Sequence, residues 1–305
     1  MCIFQFSSPT SLKRRYLFRS ADSSNMPKRN RVRFGSAGIP HQCEGGSLEA
    51  IECSHDLGLG AMELEFVRGV KLKEENAKRL KPASEKFDVR LSAHAPYWVN
   101  CCATDKTKQE TTKRNLLLSV QACQWAGARV AVFHPGYYQG KTSKECFKLT
   151  KSLFKKLKTQ MSKHKIKGVK LGAETVGKKS QYGSLDECIE LHHSVKEIML
   201  VLDFAHLLSR GDWPCKNESD YSKLLAYVEK NAPGYMKDFH AHFSCINYSE
   251  KGERNHLPLE GKNPPPYKPL MKVLAENGYG GVIISESPKL EIDALKMQKE
   301  YLTHF

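Results

Sequence analysis

From about residue 32 onward, short β-rich runs alternate with longer stretches whose apolar residues recur at helical spacing. Eight runs rich in Val, Ile, Phe, Leu and Ala fall at 32–38, 61–66, 89–95, 129–135, 169–175, 198–204, 236–244 and 281–287. Between and after them lie amphipathic segments at 47–57, 73–86, 106–126, 142–164, 184–195, 218–230, 267–277 and 291–302. Leu116, Val120 and Cys123 show the helical period within one of them, Ser47 and Ser184 supply start signals, and Gly58 and Gly127 supply stops. Eight strand-then-helix units predict an α/β protein: a single (β/α)8 barrel, in which a parallel sheet closes on itself. No G-x-G-x-x-G follows the first strand, which argues against a dinucleotide-binding sheet.

With 305 residues the chain suits one large barrel domain, expected over 31–305, preceded by a basic extension over 1–30. That extension is Ser- and Arg-rich and poor in acids, and contains a second methionine, Met26. Its composition fits an organellar transit peptide, a nuclear signal in PKRNRVR, or a disordered tail. No apolar run reaches membrane-spanning length, so a soluble, intracellular monomer without a membrane partner is expected. Ten scattered cysteines without a C-x-x-C pair predict a reducing compartment and no disulfide framework. Net charge is +15, with eight Lys or Arg against one acid in residues 1–34 and +8 in the remainder. A basic body suits a polyanionic partner, although a solvated charged surface has the same composition.

A barrel presents its chemistry at the C-terminal ends of its strands. Strands three to eight end, in turn, at His94, His134, Glu174, Asp203 with His206 just beyond, His240 with His242, and Glu286. Each alone could be a helix cap or a hydrogen-bonded core residue. Together they would converge on one mouth, where carboxylates repel one another unless cations neutralise them. Mixed histidine and carboxylate donors suit Zn2+ first, with Mn2+ a possible substitute. So many donors imply two or three ions, and clustered ions suit displacement at phosphorus.

The motifs SAHAPYWVN, VFHPG, LGAETV, LDFAH, FHAHFS and IISES, in this order, resemble the strand-end motifs of the endonuclease IV family across residues 32–302. That family comprises zinc-dependent apurinic/apyrimidinic endonucleases on a xylose-isomerase-like barrel. The resemblance implies hydrolysis of the phosphodiester 5′ to an abasic site in duplex DNA during base-excision repair, leaving a 3′-hydroxyl, with 3′-blocked ends as related lesions. It implies one zinc on His94, His134 and Glu174, and a second on Glu174, Asp203, His240 and Glu286, with Glu174 and Glu286 the catalytic carboxylates. A third would take His206 with Glu253 and His256, whose i, i+3 spacing departs from the family's i, i+2. His242 stands where the family has Asn and is expected as a partner to a ligand. Tyr97, Trp98 and Asn100, in the loop after strand three, are the implied DNA contacts, while the loop after strand two is short. The competing reading is a sugar isomerase or epimerase on the same barrel, which would need only Glu174, Asp203, His240 and Glu286.

Overall fold

The computed structural model describes residues 31–305, so expectations for residues 1–30 lie outside the described residues. Eight strands form the barrel: β1 (Val32–Ala37), β2 (Ala61–Glu65), β3 (Arg90–His94), β4 (Val130–Phe133), β5 (Lys170–Glu174), β6 (Ile198–Asp203), β7 (Phe239–Phe243) and β8 (Gly281–Ser285). Each pairs in parallel with its sequence neighbours, and β1 closes the ring on β8 through Val32↔Gly281 to Ser36↔Ser285. The predicted (β/α)8 barrel is therefore the observed fold.

The surrounding helices are α1 (Ser47–Asp56), α2 (Glu74–Lys86), α3 (Lys106–Ala126), α4 (Ser143–Lys163), α5 (Leu185–Ser194), α6 (Phe204–Arg210), α7 (Glu218–Asn231), α8 (Tyr267–Glu276) and α9 (Leu290–Leu302). Local chemistry sets several of their ends. Thr142 with Glu145 and Ser184 with Glu187 form capping boxes, and Gly127 ends α3 in the left-handed conformation. The short helix α6 lies outside the amphipathic segments read from the sequence and realises the cap reading of Asp203, which accepts the His206 N–H at 2.6 Å. Most buried apolar side chains form one continuous layer between strands and helices, whereas Ala61, Val282 and Ile284, and Val130, Val132 and Val201, form separate small clusters.

These small clusters lie inside the barrel, where side chains from alternate strands stack in layers. From the two-residue strand period, the even strands send in Glu63, Val132, Val201 and Ile284 at one level, and the odd strands Gly35, Ser92, Gly172 and His240 just below. A Cβ on Gly172 would lie 2.6 Å from a Val201 methyl and 2.8 Å from one of Val130, so the hydrogen there is a packing requirement. Above these come His94, Glu174 and His242 with Ala37, and then Glu65, His134, Asp203 and Glu286 at the rim. The interior thus passes from apolar to ionisable towards the C-terminal mouth.

The cysteine expectation needs one correction: Cys43 and Cys53 are joined as a disulfide, with Cα atoms 5.8 Å apart. The loop after β1 folds back on α1, a contact that spacing alone does not reveal. The other described cysteines are free and buried. Among the described residues no helix is long and apolar enough to cross a membrane.

Candidate metal centre

Glu174, at the end of β5, is fully buried and lies at the centre of the ionisable layers. Its Oε2 is 3.2 Å from His94 Nε2 and 3.0 Å from His134 Nε2. Its Oε1 is 3.0 Å from His242 Nδ1 and 3.4 Å from His206 Nδ1. Two groups of side chains with ligand atoms within 4.8 Å of one another result: His94, His134 and Glu174; and Glu174, Asp203, His242 and Glu286. They share Glu174, a carboxylate with an oxygen for each side.

The second group differs from the expected set at one residue. His240 and His242 both point inward from β7, but His240 lies deeper, with its Nε2 3.3 Å from Glu63. His242 is the residue at the level of Glu174, and its Nδ1 is 3.2 Å from Glu286. The i, i+2 pair shares a face, and the register of β7 against β8, His242↔Ile284, sets which member reaches the mouth.

Asp203 both caps α6 and keeps an oxygen for other use. Its Oδ1 accepts the His206 N–H, while its fully buried Oδ2 has no hydrogen-bond partner. His206 Nδ1 is 2.9 Å from the Thr175 carbonyl, which leaves Nε2 facing Glu253 Oε2 at 2.9 Å. His94 is arranged likewise, with Nδ1 on the Ala95 carbonyl at 2.8 Å. A backbone acceptor on one ring nitrogen fixes the other as the candidate ligand atom.

The loop after β7 contains an antiparallel ribbon, Cys245–Ser249 with Gly252–Leu257. Its register shifts between Asn247, which pairs with Asn255, and Tyr248, which pairs with Glu253, so Arg254 is the extra residue of a bulge. One inserted residue lets an i, i+3 pair behave as i, i+2 and share a face. Glu253 and His256 both reach His206, the latter with ring centroids 5.7 Å apart. The three do not converge as tightly as the two groups around Glu174.

Electrostatics reflect a crowded set of acids. Burial opposes charge on Glu174, but the neighbouring His134 and His242 hold its carboxyl well below the usual range. Burial likewise opposes the charge of Glu286 and Glu253, yet His242 and His206 respectively hold them near 2. Asp203 goes the other way: burial, with Glu286 and Glu174 nearby, raises it well above the ordinary value against the pull of His206. Burial disfavours charge on His94, but Glu174 pushes it up to about 10, and His206 and His242 are also raised well above normal by their carboxylates. The lowered Glu174, Glu286 and Glu253 and the raised His94, His206 and His242 together mark a set of carboxylates that calls for positive charge. Divalent ions would supply it while displacing histidine protons. The N and O donors and the unpartnered Asp203 Oδ2 fit such ions.

Sequence reasoning passed over Glu63, fully buried on β2 between Ser92, His240 and His242. The signal was present in AMELEF, where alternation puts Glu63 and Glu65 on one face opposite Met62 and Leu64. Among the expected DNA contacts, Tyr97 and Trp98 are 61% and 57% exposed at the mouth, so both are accessible to a partner. Asn100, the third, braces the loops. Its Oδ1 accepts the N–H groups of Cys102 at 3.1 Å and Tyr137 at 3.2 Å, tying the loops after β3 and β4 together. A Cβ on Gly136, at φ +144°, would lie 2.3 Å from that oxygen.

Eight parallel strands with histidine and carboxylate groups at their C-terminal ends define a TIM barrel with a candidate metal centre. The chain belongs to the xylose isomerase-like TIM barrel family, whose profile matches residues 51–302. An uncharacterised protein of Methanocaldococcus jannaschii is 36% identical over 270 residues, covering 88% of this chain and 96% of that protein. A probable endonuclease 4 of Mycoplasma genitalium is 31% identical over 176 residues, 54% of this chain and 56% of its own length. Among solved structures, endonuclease IV from Thermus thermophilus aligns with a TM-score of 0.66 at 17% identity, over 89% of this chain and 98% of that one. A D-tagatose 3-epimerase-like protein aligns at 0.61 and 22% identity, over 80% and 89%. At these identities the solved structures speak to the fold alone.

Proposed function

We propose that this chain is a divalent-metal-dependent phosphodiesterase that hydrolyses duplex DNA 5′ to an abasic site, leaving a 3′-hydroxyl, and also acts at 3′-blocked ends. The observation that carries the reading is the pair of ligand groups joined through Glu174, with His206, Glu253 and His256 alongside. His94 and His134 add a group that a single-ion sugar site does not need. Zinc is the first choice for these donors, with Mn2+ a substitute, and bound ions would supply Lewis-acid stabilisation of a phosphate in displacement.

The chain's own residues have separable tasks. Glu174 joins the two groups, and Glu286 with Asp203 completes the second. The exposed Tyr97 and Trp98 offer aromatic faces at the mouth, suited to stacking on or wedging between bases. Exposed cations on loops that follow strands, Arg68, Lys71, Lys251, Arg254 and Lys262, suit phosphate contacts. The likeness to a probable endonuclease 4 supports the same reading.

A sugar epimerase or isomerase is the second reading, because Glu174, Asp203, His242 and Glu286 form a self-sufficient group of the kind one ion needs. The deciding experiment incubates a labelled duplex carrying one abasic analogue with zinc-loaded and with chelated protein, and counts metal per chain. Incision 5′ to the lesion with two or three ions is expected. An intact duplex together with one ion and ketose epimerisation would replace the first reading with the second.

A further inference from the structure

Beneath the mouth, inside the barrel, lies another group of donors: Glu63 from β2 with His240 and His242 from β7. All three are buried, with Glu63 and His242 fully so. Glu63 Oε2 is 3.3 Å from His240 Nε2, and Glu63 Oε1 is 3.1 Å from His242 Nε2. For bonds of about 2.0–2.1 Å, neighbouring donors around a tetrahedral zinc stand roughly 3.3 Å apart. The Glu63 Oε1–His242 Nε2 separation is close to that edge, and one ligand atom from each of the three residues lies within 4.8 Å of the others.

Hydrogen bonding separates the two halves of the Glu63 carboxylate. Oε2 receives the Ser92 hydroxyl at 2.6 Å and faces His240. Oε1 and His242 Nε2 have no hydrogen-bond partner despite being 3.1 Å apart. They face each other as a buried acid–histidine pair without hydrogen-bond geometry, an arrangement in which both still have capacity for a further partner. A cation between them would meet that capacity, and the Ser92 hydroxyl would orient the ligating carboxylate as an outer partner.

We propose that Glu63, His240 and His242 form a separate, interior divalent-cation site, with zinc the preferred ion. His242 would then serve two sites, giving Nδ1 to the mouth group and Nε2 to the interior ion. Binding at both nitrogens would release every ring proton of His242 to solvent and leave an imidazolate shared by the two ions, so charge and protons balance. The interior ion would be structural in position, because apolar Val132, Val201 and Ile284 occupy the same level as Glu63 and separate it from the mouth. It would act on the mouth by fixing the orientation of His242. The site does not depend on what the mouth cleaves.

The test is a crystal structure of metal-stripped, zinc-reloaded protein with anomalous data at the zinc edge. A peak within bonding distance of the Glu63 carboxylate, His240 Nε2 and His242 Nε2 is expected, separate from any peak beside Glu174. Zinc beside Glu174 with no peak at Glu63 would overturn the site and leave Glu63 as a hydrogen-bond acceptor for His242. In parallel, elemental analysis of Glu63→Gln and His240→Gln should show about one zinc fewer per chain than wild type. Equal metal content in a folded variant counts against the proposal. DNA cleavage is scored separately: a wild-type protein that carries the interior zinc but leaves an abasic duplex intact sinks the nuclease reading alone.

Discussion

Replacing Glu174 by Gln tests the organisation of the centre, because this carboxylate is the only residue common to both ligand groups at the mouth. The amide keeps the shape but offers one oxygen and one N–H2, so one side of the residue turns from acceptor to donor. In the native protein, four ring nitrogens lie within 3.4 Å of the two carboxylate oxygens, and the residue is fully buried. Removing one partner of a buried charge pair costs about 3–5 kcal/mol. If that cost falls on ion binding, it amounts to roughly two to three and a half decades of affinity. The assay is equilibrium dialysis against graded free zinc with elemental analysis. Two binding steps should move to higher zinc in Glu174→Gln, whereas His94→Asn, which touches one group, should move one. Incision of an abasic duplex should be nearly lost in Glu174→Gln while duplex binding persists, since the surface cations are unaltered. A variant in which only one zinc step moves would refute the shared-carboxylate reasoning, whatever its activity.

His256→Ala should remove about one ion associated with His206 and Glu253 and sharply lower incision; unchanged metal content would show that the bulged ribbon holds no ligand. Trp98→Ala should weaken binding to abasic duplex by about 1–3 kcal/mol, the range for loss of one stacked base, with zinc content constant, as read by fluorescence anisotropy and elemental analysis. Asn100→Ala should lower unfolding stability by about 1–3 kcal/mol, because two backbone donors lose their acceptor, as read by urea denaturation. Asp238, at the opposite end of the barrel, is paired with Arg90 and Arg129; burial opposes its charge, but Arg129 and Arg90 hold its carboxyl below the ordinary value. Its stabilisation is therefore present above the unfolded value, near 3.9, and is lost as pH falls through the lower folded value. Asp238→Asn should cost about 1 kcal/mol at pH 7, discounted for partial exposure, and the difference from wild type should close below about pH 4.

The eight strands were legible because each is a short β-rich run followed by a helical period, and topology then followed from repetition. The mouth residues were legible for a related reason: the last inward position of a parallel strand faces a common opening. What sequence alone left open was depth. Glu63 and Glu65 share a face, as do His240 and His242, but which member of each pair reaches the mouth depends on strand register. The bulge at Arg254 was illegible for the same reason, since a pairing shift is a property of two strands. Asn100 has the composition of an exposed polar contact, and only the approach of the loop after β4 turns it into a brace.

Depth also divides the chemistry. At the level of Glu174, β3 and β7 contribute His94 and His242, whereas β1 contributes Ala37. The ligand ring is therefore three-sided, and its open quarter lies between β8, which carries Glu286 at the rim, and β2, which carries Glu65. One layer lower the walls are Val132, Val201 and Ile284, and the polar groups that remain, Glu63 and His240, face each other. A centre at the mouth and a buried one beneath it could thus share His242, because a single imidazole spans the boundary between the two layers.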